Sequence, residues 1–133
     1  MRLFTPEEAN AALALVRPRV ERLARLRVAL RSVAGELADA RANAAGNGHG
    51  EAARRAAALE EARAETVRAL ADVAAELDEI GVQVKDPDGG LVDFPARHPD
   101  GSLVLLCWRL GEDEVSAWHT LDGGFAGRKP LPF

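Results

Sequence analysis

Residues 117 to 130, AWHTLDGGFAGRKP, gather a Trp, a His, an Asp, three Gly and an Arg into fourteen positions, in a chain otherwise dominated by Ala, Leu, Val, Arg and Glu. His119 has the widest chemical range of these. An imidazole can serve as a base or a metal ligand, or it can be a core side chain satisfied by hydrogen bonds. The nearby carboxylates are Asp93, Glu112, Glu114 and Asp122, and one His with two or three carboxylates suits a hard or borderline divalent cation. His119, Asp122, Glu114 and Glu8 are therefore the candidate metal set. Arg128 follows GGFAG, where glycines allow close backbone approach and exposed N–H groups can cradle an anion. His119, Asp122, Arg128 and Asp93 are accordingly the candidate set for a small anionic ligand at the sheet edge.

Each of these residues also has a structural reading. Asp93, mid-strand in LVDFP, has Arg109 as its natural ion-pair partner, and Glu112, Asp113 and Glu114 can simply solvate a turn. Cys107 reads as a buried, inert strand thiol. The sequence has no His-x-x-x-His, Cys-x-x-Cys or calcium-loop spacing, no Walker loop and no dinucleotide fingerprint.

The elements that must position these groups are of two kinds. Thr5-Pro6-Glu7-Glu8 carries a cap, a first-turn Pro and a capping-box carboxylate. Apolar residues then recur in steps of three and four from Leu13 to Ala40, and again from Leu59 to Ile80, each series one stripe of a helix. Pro18 removes one helical hydrogen bond, which predicts a kink. Gly46-Asn47-Gly48-His49-Gly50 separates the helices, and Gly81 is placed to end the second as a left-handed cap.

From Gly81 onward, VQVKD, LVDFP, LVLLCWRL and VSAWHTL read as short strands divided by DPDGG, HPDGS and GEDE. The predicted fold is α+β and a single domain over 1–133: a long antiparallel helical hairpin over about 5–80, then a four-stranded antiparallel β-meander and C-terminal loop over about 81–133. Closing GEDE as a tight turn pairs Leu110 with Val115. It places His119 on the face of Leu106 and Trp108, toward the helices.

Composition narrows the function classes. The 133 residues are 47 % hydrophobic and 29 % charged, with a net charge of −4 and one cysteine. That excludes an intrachain disulfide and argues against a general nucleic-acid binder. Six Arg and one Glu lie between Arg17 and Arg31, but the second helix has about twice as many acids as bases, so cross-neutralisation is expected. No apolar run reaches signal-peptide or membrane-spanning length, which points to a cytoplasmic protein without a membrane partner. Apolar stripes longer than a small sheet can cover predict a homodimer. Three functions follow, in this order: a self-associating interaction protein using its helical hairpin; a domain or enzyme binding a small ligand or a divalent metal ion around His119; and a nucleic-acid accessory protein.

LFTPEEANAAL with LVRP, VKDPDGGLVDFP, and LCWRLGEDEVSAWHTLDGGFAGRKPL together resemble the bacterial family called domain of unknown function 2203. The resemblance covers both ends and the middle of the chain. It implies no established activity and supplies no catalytic residues.

Overall fold

Thr5 and Glu8 cap the first helix reciprocally. The Glu8 amide donates to Thr5 Oγ1 (3.1 Å), and the Thr5 amide donates to Glu8 Oε1 (2.9 Å). In the computed structural model, which describes residues 1–45 and 50–133, this cap opens α1, Pro6–Ala45. The helix runs on through Pro18. The second helix, α2, spans Glu51–Ile80. The separating glycine loop falls, at residues 46–49, outside the described residues. Gly81 ends α2 with φ +103°; its amide bonds the Asp78 carbonyl, and the Val82 amide bonds that of Leu77.

Five strands follow: β1 Gln83–Asp86, β2 Leu91–Arg97, β3 Leu103–Arg109, β4 Ala117–Thr120 and β5 Lys129–Pro130. They form one antiparallel sheet in sequence order. The meander therefore has five strands and not the four read from the sequence. The fifth is two residues long and includes a proline, which an edge strand tolerates because its outer N–H has no ladder partner to lose.

The chain divides into two compact units, Met1–Ala24 with Val73–Phe133, and Arg25–Asp72. In the first, Phe4, Leu13, Val16, Val20, Leu77, Val92, Phe94, Leu106 and Trp108 are buried. Phe4 meets Phe94 edge-on at 5.2 Å, and its amide donates to the Pro95 carbonyl. In the second, Leu37, Ala40 and Ala56 form a buried cluster with Leu59 against it, flanked by Arg41–Glu60 and Arg55–Glu36 ion pairs. No helix among the described residues is long and apolar enough to cross a membrane.

The β3–β4 register differs from the expected one by a single residue. Leu105 pairs with His119 and Leu106 with Trp118. Val115 does not face Leu110. Its amide donates to Asn10 Oδ1 (2.7 Å), and its carbonyl accepts from Asn10 Nδ2 (3.2 Å). Helix α1 thus holds Val115 out of the ladder, and GEDE becomes part of a longer connection. A one-residue slip turns every side chain to the other face. His119 consequently lies on the face of Leu105 and Cys107, opposite to that of Phe94, Leu106 and Trp108.

A buried Asp–Cys–His cluster under the C-terminal segment

Asp93 in β2 is the Cα partner of Cys107 in β3, so their side chains rise side by side from one face. His119 lies one strand further, in β4. Neighbouring strands are about 4.8 Å apart, so a contact from β4 to β2 needs side chains that reach across β3. The imidazole does this: His119 Nε2 is 3.0 Å from Asp93 Oδ2. Both residues are buried, His119 at 3 % and Asp93 at 1 % exposure.

The other ring nitrogen, Nδ1, lies 2.7 Å from the Thr120 carbonyl. A carbonyl only accepts, so Nδ1 carries a hydrogen, and the contact fixes the ring. Across Nε2 and Oδ2, two acceptors then face each other and need a proton between them or a cation beside them. Asp93 Oδ1 has no hydrogen-bond partner. The Cys107 thiol sits next to this carboxylate. Burial, followed by the charge of Asp93, pushes the thiol up to about 11 against the opposing pull of Arg128. Among the described residues, Asp93, Cys107 and His119 form the group able to hold a metal ion, their ligand atoms all within 4.8 Å of one another.

The segment after β4 covers this face. Asp122 accepts from Thr120 Oγ1 (3.1 Å), and the Gly123 amide donates to the Thr120 carbonyl (3.1 Å). A Cβ at Gly123 would fall 2.7 Å from Thr120 Oγ1, so a side chain there would displace the Thr120 hydroxyl from Asp122. Beyond it, Arg128 makes two hydrogen bonds to the Glu112 carboxylate, the longer 3.3 Å, and its Nη1 lies 3.9 Å from Cys107 Sγ. Glu112 Oε1 also accepts from the Arg109 amide (2.7 Å). Burial pushes the Glu112 carboxyl up, but the Arg128 and Arg109 hydrogen bonds and charges outweigh it and hold it below the usual range. A cavity of about 190 Å³ opens beside the cluster, lined by Asp93, His119 and Asp122 with Lys85, Leu105 and Phe125, among others.

The structure brings together Asp93, His119 and Asp122 from the sequence-derived sets. Arg128 lies next to the cluster through Cys107 and is committed to Glu112. Glu8 is occupied in the capping box, and Glu114 lines a different groove, with Glu7, Asn10 and Phe133. The expected Asp93–Arg109 ion pair does not form. Asp93 bonds His119, while the Arg109 guanidinium lies over the Phe125 ring. Read from the sequence, Cys107 stays outside the site and Glu112 solvates a turn. Cys107 had a usable signal: closing HPDGS so that Arg97 faces Leu103 puts Cys107 directly opposite Asp93.

No curated protein and no solved structure matches the chain. The family model described as an uncharacterized conserved protein, DUF2203, matches residues 2–131, and the chain therefore belongs to that family.

Proposed function

We propose that this protein binds a divalent transition metal of the zinc class, with Asp93, Cys107 and His119 as protein ligands. The observation that carries the reading is the buried donor set, one carboxylate, one thiol and one imidazole within 4.8 Å of one another. Ligand bonds of about 2.0 to 2.3 Å put the corners of a tetrahedral site roughly 3 to 4 Å apart, so small side-chain movements would close the set. A mixed sulfur, nitrogen and oxygen set favours zinc and its neighbours over magnesium or calcium. The Thr120 carbonyl holds Nδ1–H and directs Nε2 at the site, as backbone carbonyls commonly do for metal-bound histidines. A cation would also satisfy the unpartnered Asp93 Oδ1. Three protein ligands leave one position for an exogenous group.

Elemental analysis of protein purified without chelator tests this. About one zinc-class ion per chain is expected in the wild type, and at least tenfold less in His119→Gln and Cys107→Ser. Loading with Co²⁺ should give a sulfur-to-cobalt charge-transfer band that Cys107→Ser abolishes. A wild-type chain that retains no metal and develops no such band would remove the proposal.

A second reading, self-association through the helices, has its own observation. Within Arg25–Asp72 the apolar stripes are incompletely covered, with Leu26, Leu30, Leu59 and Leu70 half-buried, and off the Leu26–Leu30 stripe Val28 is 58 % exposed. A symmetric dimer would bury them. A monomer in sedimentation at tens of micromolar, roughly the concentration at which functional dimers persist, would remove this second reading.

A further inference from the structure

We infer that the cavity beside the cluster binds a small monocarboxylic acid with a short apolar tail, its carboxylate meeting the exogenous position of the metal and the ammonium of Lys85. This inference rests on the metal reading above and adds the ligand class.

Four observations support it. The cavity is small, about 190 Å³. An apolar cavity of about 150 Å³ accepts benzene, so this one has room for a ligand of about that size. Its walls are largely apolar, from Leu91, Leu105, Leu121 and Phe125, so the bulk of the ligand should be hydrocarbon. Its polar floor is Asp93 and His119, which puts the ligand's head group at the proposed metal position.

Lys85 is the fourth observation. It falls at a break in the β1–β2 register, between Val84, which pairs with Val92, and Asp86, which pairs with Leu91. Such irregularities re-aim a side chain, and Lys85 lines the cavity. Among the described residues none forms an ion pair or side-chain hydrogen bond with its ammonium.

Charge then decides between anions. With the metal held by two ionised ligands, Asp93 and Cys107, the floor is close to neutral. Lys85 offers one positive charge, and Asp122 stands at the lining with a negative one. Lys85 and Asp122 cancel, so a single carboxylate at the coordination position and Lys85 adds one uncompensated charge, whereas a dianion such as a phosphate ester adds two. The apolar walls reject a purely polar anion.

The test uses zinc-loaded full-length protein and isothermal titration with acetate, butanoate, pentanoate and pentanamide. Affinity should rise from acetate to pentanoate. Pentanamide, which has the same shape without the charge, should bind at least tenfold more weakly than pentanoate. Lys85→Met should retain its zinc and weaken pentanoate about tenfold. Zinc-loaded protein that binds pentanoate and pentanamide equally, or neither, would overturn this inference and leave the metal reading standing. Protein that cannot be loaded with zinc would overturn both.

Discussion

His119 and Asp93 form a pair with almost no access to water, and removing one member of such a pair leaves the other without compensation. His119→Ala should therefore destabilise the protein by about 3 to 5 kcal/mol, the range for breaking a buried pair. Urea unfolding would measure this, and a loss below about 1 kcal/mol would place the pair in solvent-like surroundings. In Asp93→Asn/His119→Ala the charge is gone as well, so the double variant should lose less than the two single losses combined. The Cys107 thiol gives a pH-dependent prediction. Its pKa rises from 9.0 to about 11 on folding, so the folded state holds the proton more tightly than the unfolded chain. The resulting stability is complete below pH 9 and is lost as pH rises through about 11. The urea midpoint of metal-free wild type should fall across that window relative to Cys107→Ala, and parallel curves for the two would contradict it. In the sequence, Asp93 stood out because a carboxylate is unexpected mid-strand. Its partner is not legible there, because a strand alternation can be read in either of two phases, and only the register chooses between them.

That register is decided by an element contact far apart in sequence. The side-chain amide of Asn10, in the second turn of α1, satisfies both backbone groups of the buried Val115. It thereby fixes where the β3–β4 connection ends. Asn10→Ala leaves these two groups without partners and should cost about 1 to 3 kcal/mol in urea unfolding. An unchanged midpoint would mean that Val115 finds other partners. The helix ends, by contrast, were legible in the sequence because their signals are local: Thr5 with Glu8, Pro6 in the first turn, and Gly81 in the cap. So were the first four strands, from their Val, Leu and aromatic content and the intervening turn residues. The fifth strand was hidden, since Lys129–Pro130 has no strand composition and exists only because β4 offers it an edge. The Asn10 contact was equally invisible, because an asparagine on a helix carries no sign of a target about a hundred residues away.

At the scale of the molecule, the sheet has two faces. One carries the core residues Phe94, Leu106 and Trp108, and the other is closed by the chain's own last residues. That second closure depends on a two-residue strand, the Phe125–Gly127 turn and the Arg128–Glu112 ion pair. The pair is partly exposed, with side chains 22 % and 29 % accessible, so solvent screens it. Its paired geometry keeps its contribution at about 1 kcal/mol, toward the upper end for exposed pairs. Glu112→Gln should therefore loosen the C-terminal segment without unfolding the core. A loss of that size makes local opening about five times more frequent. Cys107 reports the opening directly, because it lies beneath Arg128 and is otherwise buried. At pH 8 its reaction with a thiol reagent should be slow in the metal-free wild type and about fivefold faster in Glu112→Gln, while the urea midpoint moves little. Acid should act in the same direction. The Glu112 carboxyl is held below its ordinary 4.5, so the pair is complete above that pH and is lost as pH falls through the lowered value. If Cys107 labels at the same rate in both proteins while the midpoint falls, the ion pair stabilises the whole unit and the C-terminal segment does not open on its own.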